Sequence, residues 1–398
     1  MRILIANDQH WPMKSGVATV ARLLALNLAK RGHEVLVIAP SQTGKKYSDE
    51  DENYRIVRMG SIGFPKRDNF RVSAPGRAEI RGIIRGFGPD IVHIHTQGLV
   101  GLTTMNVAHK LGIPVIATNH LMGVNITGTV KALQPFGRSI DWLVFDHSLK
   151  LYHNADYIIM PTQMAIDMFD LSKIKVPVKP QSNGIDLSRF KPGNVPDNIY
   201  KKFDLPKEKK IVGYLGRVDA EKHLHVILEA APKILAAAPD THFLFVGTGN
   251  DLEDLHDLAK KLKIEKHVTF TGRVDDDDID YLFRAIDVYI MPSPAELQSM
   301  STMEAMASGK PIVAANKGAT PELCQEGKNG FLFELDDEQV LADRVIKLLN
   351  DNELRKKFGE ASVKIAASHN INTVIKQFEK LYKEVIARKK KTISGQNS

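Results

Sequence analysis

The chain has one cysteine, Cys324, in 398 residues. A single thiol excludes an intramolecular disulfide and points to a reducing compartment. Long hydrophobic runs are missing as well: no uninterrupted apolar stretch has the length that spans a bilayer. The N-terminus, MRILIANDQHW, lacks a basic segment followed by a long apolar core, so no secretory signal peptide is expected. Zinc-finger spacing and an aromatic-rich RNA-binding signature are absent, and no nucleic-acid partner is expected. The expected location is the cytoplasm.

What is present is ordinary for a soluble globular protein, with 43% hydrophobic and 25% charged residues. The length suits two domains, each with a core of its own. The excess is positive charge, a formal +7. Such a balance fits an anionic partner: nucleic acid, an anionic membrane face or a phosphorylated substrate. Part of it is local, in the C-terminal ARKKKTISGQNS, whose end (392–398) reads as a flexible tail.

Short apolar runs alternate with amphipathic stretches. ILIA (3–6), EVLVIAP (34–40), DIVHIH (90–95), PVIATNH (114–120) and DYIIMPT (156–162) form one series. Between the first two, VATVARLLALNLAKRG (17–32) repeats its apolar residues at helical spacing, and Gly32 is placed to stop that helix. A second series follows: KIVGYLG (210–216), THFLFVG (241–247), HVTFTG (267–272), DVYIMPS (287–293) and KPIVAA (310–315). Runs of this kind predict parallel strands buried on both faces. Two strand–helix series predict an α/β protein of two doubly wound, Rossmann-like domains. The expected boundaries are 1–190 and 196–372, joined by an irregular connection within 176–198. A C-terminal helix at about 375–391 is expected to pack back on the first domain. Ligands of such sheets bind beyond the carboxyl ends of strands, and a cleft between two facing domains is the expected site.

Several candidates stand there. Ser15 and Gly16 enter a helix after the first strand, where free amides favour an anion; taken alone, an ordinary helix start is the preferred reading. Arg217 and Lys222, in LGRVDAEKHLHVI, follow a strand and would cradle a diphosphate. The alternative is two surface cations paired with Asp219 and Glu221. VGTGND (246–251) has the start of a glycine-rich phosphate loop without the full fingerprint, which suits a plain turn. Asp275–Asp278 read as an acidic helix start rather than a metal site. His93 and His95 share one face of a strand, but no third zinc ligand is evident. His120 ends a strand, as a ligand-facing residue would.

The densest segment is AELQSMSTMEAMASGKP (295–311), with Glu296 and Glu304 eight positions apart. Ser301 and Glu304 match a capping box, which would make Glu304 a structural residue. The other reading explains the small residues between the acids. They let backbone amides reach a polyhydroxylated anionic ligand, while each carboxylate accepts from paired sugar hydroxyls.

Taken in order, SGVATVARLLALNLAKRGHEV, PDIVHIH, GIPVIATNH, SNGIDLSRFKP, GYLGRVDAEK, FVGTGNDLEDL, VTFTGRV and PSPAELQSMSTMEAMASGKPIVA resemble the retaining family-4 glycosyltransferases of GT-B fold. The resemblance covers nearly the whole chain. It implies that Arg217 and Lys222 bind a nucleotide diphosphate and that Glu304 accepts from the ribose hydroxyls. Glu296 and the amides of Leu297, Gln298, Ser299, Met300 and Ser301 would hold the donor sugar. The backbone at Arg273 and Val274 would cover the base, Gly16 would sit against the phosphates, and His120 would lie by the transferring carbon. Three positions depart from the usual pattern: Ser299 and His223 stand where glycine is common, and Ser15 replaces the first of a double glycine.

Within the family, TNHLMGVNITG and IDWLVFDHSLKLYHNADYIIMPT look most like the branch that glucosylates diacylglycerol. The second stretch carries Trp142, Val144, Phe145, Leu149, Leu151 and Tyr152, which suit a buried helix or a surface that meets lipid. The resemblance implies hexose transfer with retention, with UDP-glucose as donor and a diacylglycerol-type lipid at the inner membrane face as acceptor. A GDP-mannose-dependent mannosyltransferase and a hydrolysing sugar-nucleotide epimerase are the alternatives. No cofactor and no obligatory metal are expected.

Overall fold

The computed structural model describes residues 1–13, 15–63, 71–120 and 152–396, with Lys173 and residues 393–396 by backbone alone. The chain divides into two compact units. Among the described residues, the first unit takes in 1–120, 152–184 and the helix that starts at Ile371; the second is Ile185–Asn370.

The first unit runs β1 (Arg2–Ala6), α1 (Gly16–Lys30), β2 (Glu34–Pro40), β3 (Tyr47–Asp51), β4 (Tyr54–Met59), β5 (Ile62–Gly63), β6 (Arg71–Val72), α2 (Arg77–Phe87), β7 (Ile91–Ile94), α3 (Leu99–Lys110), β8 (Val115–Thr118), β9 (Tyr157–Met160), α4 (Gln163–Asp167) and β10 (Val178–Pro180). Its main sheet has the order β10-β9-β8-β7-β1-β2-β4-β3. All pairs are parallel except β3 with β4. β1, β2, β7 and β8 are buried along almost their full length, which is why each reads as a continuous apolar run. α1 stops as its sequence predicts: Gly32 takes φ +83°, and the amides of Gly32 and His33 close on Ala29 and Leu28.

The second unit runs α5 (Asp197–Lys202), β11 (Lys210–Leu215), α6 (His225–Ala237), β12 (Thr241–Val246), α7 (Leu252–Lys261), β13 (Val268–Gly272), α8 (Ile279–Ala285), β14 (Val288–Met291), α9 (Met300–Ala307), β15 (Ile312–Ala315), α10 (Thr320–Leu323), β16 (Gly330–Phe333), α11 (Glu338–Asn350) and α12 (Asn352–Ala367). Its sheet is wholly parallel, in the order β13-β12-β11-β14-β15-β16. One hydrophobic core fills this unit, with Phe243, Phe245, Phe283, Tyr289 and Phe358 among its largest members.

The last helix, α13 (Ile371–Gln396), belongs to the first unit. Ile375, Phe378, Leu381 and Tyr382 pack with Ile3, Ile5, Val35 and Val37. Glu379 receives both arms of Arg31 at 2.8 and 2.9 Å, and Lys389 reaches Asp156 at 2.7 Å. The helix continues to Gln396, so the stretch read as a flexible tail from 392 is helical that far; 397 and 398 lie outside the described residues. Among the described residues no helix is long and apolar enough to cross a membrane.

Candidate functional site

In the second sheet, β11 lies between β12 and β14, so the strand order reverses there. Loops leaving two adjacent strands at such a point diverge and open a crevice at their carboxyl ends. The loop after β11 carries Arg217 and a single 3-10 turn, Ala220–Lys222. The loop after β14 carries Glu296 and leads into α9.

Arg217 is clamped from within its own loop. Its guanidinium donates to Asp219 and to Glu221, whose side chain is 0% exposed. Burial pulls the Arg217 pKa down, but the charges of Glu221 and Asp219 outweigh it and leave it raised. The clamp is braced by the loop after β12. Val218 donates to Thr248 and Asp251 to Val218, each at 3.0 Å, and Asn250 donates to the Asp219 carboxylate at 3.0 Å. A Cβ on Gly247 would stand 1.8 Å from the Gly216 carbonyl, and one on Gly249 1.9 Å from that of Val218. The glycines of VGTGND therefore serve close backbone approach, which is the plain-turn reading.

Lys222 pairs with Glu296 at 2.7 Å, across 74 residues of sequence, with side chains 11% and 14% exposed. The alternative pairing with Asp219 and Glu221 thus holds for Arg217 alone. Lys222 turns to the acid on the neighbouring loop, and the two cations stand on one loop.

The start of α9 corrects a second expectation. The helix begins at Met300, and its N-cap is Ser299, whose hydroxyl accepts from the Thr302 amide at 3.2 Å. The Ser301 hydroxyl instead meets Tyr289 of β14 at 2.8 Å. The capping box at 301–304 does not form, and Glu304 is left without a capping role. Its carboxylate has no hydrogen bond or ion pair among the described residues. The amides of Met300 and Ser301, ahead of the first intrahelical bond, likewise have no partner among them.

Burial pushes the Glu304 carboxyl up from 4.5 to about 8; Arg189 opposes this and Asp276 adds to it. The folded chain therefore keeps a proton that the unfolded chain has lost. Stability conferred by that proton is present below about pH 4.5 and falls as pH rises towards 8. Glu304→Gln should raise the melting temperature by an increment that grows from pH 5 to pH 8. Ser299→Ala, which removes the cap, should instead cost about 1 kcal/mol at any pH in that range. Thermal denaturation of both variants across pH checks the pair.

In the first unit, Ser15 caps α1 by accepting from Ala18 at 3.1 Å and donates to Gln9 at 2.7 Å. Gly16 opens the helix, and a Cβ there would meet nothing within 4 Å. His120 follows β8, with Nε2 3.2 Å from Nδ1 of the buried His95 and the two rings stacked. Burial lowers the His120 pKa from 6.5 to about 4, so the ring is neutral near pH 7. His93 is held by the hydroxyls of Tyr382 and Thr118, each at 2.7 Å, which accounts for both its nitrogens without a metal. Asp8 was not singled out by sequence. It caps α3 from a distance, accepting from the amides of Val100 and Gly101 at 2.9 and 3.1 Å and from the Thr96 hydroxyl at 2.6 Å.

Two family models match the chain: Glycosyltransferase Family 4 over residues 14–189 and Glycosyl transferases group 1 over 196–365. The α-monoglucosyldiacylglycerol synthase of Streptococcus pneumoniae is 27% identical over 91% of this chain and 82% of its own length. A GDP-mannose-dependent α-mannosyltransferase of Mycolicibacterium smegmatis is also 27% identical, over 98% of this chain and 99% of its own. A solved structure of Anabaena Alr3699/HepE in complex with UDP-glucose shares the fold at TM-score 0.72, with 19% identity, 96% of this chain and 100% of that one covered. The chain is a family-4 glycosyltransferase of GT-B fold.

Within this glycosyltransferase, the sequence-derived candidates of the second unit fall into two groups. Arg217, Lys222, Glu296, Leu297, Gln298 and Ser299 lie on the two loops that leave β11 and β14, with Met300 and Ser301 opening α9 and Glu304 one turn into it. Arg273 and Val274 follow β13, Arg273 exposed and Val274 buried. Three of the four aspartates at 275–278 are bound by surface cations, Lys202 to Asp275 and Asp278 and Arg189 to Asp276, as a solvated helix start would be. Sequence reasoning did not single out Tyr289, whose hydroxyl fixes Ser301. It also overlooked a cluster of His223, His225 and Asp336, the group of potential metal ligands found among the described residues. The TNHLMGVNITG segment beyond His120 and the apolar stretch from Trp142 to Leu151 lie outside the described residues. Tyr152 is inside them, buried, its hydroxyl donating to the Thr118 carbonyl at 3.2 Å.

Proposed function

We propose that this glycosyltransferase moves a hexose from a nucleotide diphosphate sugar, with UDP-glucose as donor, to a hydroxyl of a diacylglycerol-type lipid, with retention at the anomeric carbon. The observation that carries the reading is the pair of cations on the loop after β11, Arg217 clamped by two acids and Lys222 held to Glu296 at 2.7 Å. A preorganised guanidinium and ammonium suit a diphosphate. As the bond from the anomeric carbon to the β-phosphate oxygen breaks, both cations stabilise the charge on the departing diphosphate. The acceptor oxygen bonds to the same carbon, and its proton passes to a phosphate oxygen, so the reaction needs no protein nucleophile. Glu296 and the Met300 and Ser301 amides take the sugar, and Glu304 takes the ribose. The Arg273–Val274 backbone covers the base.

The first unit's own candidates are Gly16 at the start of α1 and His120, whose neutral ring acts through hydrogen bonding rather than charge. Side-chain cations supply the positive charge the leaving group needs, and no obligatory metal is part of the proposal. The gluco donor and lipid acceptor are supported by the streptococcal relative's name and the UDP-glucose complex. The basic surplus suits a peripheral position on an anionic membrane face, each basic residue near it adding about 1 kcal/mol. A GDP-mannose donor is the second reading, supported by the equal identity of the mannosyltransferase.

The test is turnover of UDP-glucose and GDP-mannose with diacylglycerol and glucosyl-diacylglycerol acceptors, with the product anomer read by NMR. An α-glucolipid formed from UDP-glucose is expected. Consumption of nucleotide sugar that does not depend on acceptor would replace this reading with the epimerase.

A further inference from the structure

The turn that presents Lys222 carries a second set of groups. His223 follows it directly and takes φ +51°, a left-handed conformation that glycine adopts without strain. Its Nδ1 stands 2.9 Å from Asp336 Oδ1. His225, the first residue of α6, places Nε2 3.9 Å from the same oxygen. Asp336, between β16 and α11, also sits in the left-handed region at φ +62°. One ligand atom from each of the three lies within 4.8 Å of the others. All three side chains reach solvent, His223 and His225 partly and Asp336 openly.

We propose that His223, His225 and Asp336 form a binding site for a borderline divalent cation of the Zn²⁺ type, three protein ligands with the remaining position open to water. Two imidazoles and a carboxylate match that class of ion, whereas Mg²⁺ and Ca²⁺ favour oxygen ligands. Ligand atoms about 2 Å from a tetrahedral Zn²⁺ stand about 3.3 Å apart. The 2.9 and 3.9 Å separations bracket that value, and the ligand atoms of the two histidines lie within 4.8 Å of each other, so the site closes by drawing the imidazoles together. The bound ion ties the Lys222 turn to the loop before α11. It takes no part in the transfer chemistry, so the site stands or falls independently of the donor.

The experiment strips the full-length protein with a chelator, removes the chelator, and titrates with Zn²⁺ by calorimetry and with Co²⁺ by visible absorption. The wild type should bind one ion per chain with micromolar or tighter affinity, and Zn²⁺ should raise its melting temperature. His225→Ala should weaken binding by roughly tenfold or more and remove the thermal gain. His223→Gly should do the same while relieving the left-handed strain, so its metal-free stability should at least match wild type. Mg²⁺ should have no effect. A wild type that binds no Zn²⁺ in the micromolar range, or variants that bind as tightly as wild type, would overturn the proposal.

Discussion

Lys222→Ala should reduce transfer by roughly 10²–10³-fold, the loss of about 3–4 kcal/mol that one preorganised contact to developing charge is worth. The lysine has no second duty that would blur the result. Among the described residues its ammonium has one partner, Glu296. Removing it leaves a carboxylate that is only 14% exposed without its partner, which costs about 1–3 kcal/mol of stability. Cooperative unfolding should survive that loss. Glu296→Gln in the same background restores a neutral side chain at that place and should recover most of the stability, with transfer still lost. Steady-state rates and a thermal melt on the two variants separate chemistry from folding. Near wild-type turnover in Lys222→Ala would remove the diphosphate assignment.

Arg217→Ala should also lose transfer by about 10²-fold or more, but through a less stable protein. Glu221 is wholly buried, and its second oxygen has no hydrogen-bond partner among the described residues. Without the guanidinium its charge is stranded, a cost of about 3 kcal/mol, the lower end for breaking a buried pair because Arg217 itself is 41% exposed. Arg217→Ala with Glu221→Gln should regain that stability and none of the activity. Equal melting temperatures for wild type and Arg217→Ala would show that the clamp does not hold the arginine.

The two variants also mark how far the sequence was legible. β1, β2, β11 and β12 are buried on both faces, and each is an apolar run visible without a structure. β3, YSDED, is a half-exposed antiparallel edge strand, and its acidic residues look like a loop. β10 falls inside the stretch read as irregular, being a three-residue edge strand that ends at Pro180. The cations at 217 and 222 were legible because they follow a strand at a helix entrance. The Lys222–Glu296 pair was not, because its members are brought together only by β11 lying beside β14. The false capping box has the same cause. Ser299 and Ser301 are both competent caps, and the choice falls to Ser299 because Tyr289 of β14 engages the Ser301 hydroxyl. Local pattern supplies the candidates, and contacts distant in sequence choose among them.

The central claim, that the second unit grips a donor diphosphate with Arg217 and Lys222, is tested most directly by a crystal structure of the protein soaked with UDP-glucose. Phosphate oxygens within about 3 Å of both the guanidinium and the ammonium are the predicted result. A diphosphate lodged elsewhere, with Lys222 still 2.7 Å from Glu296 and touching no phosphate, would contradict it.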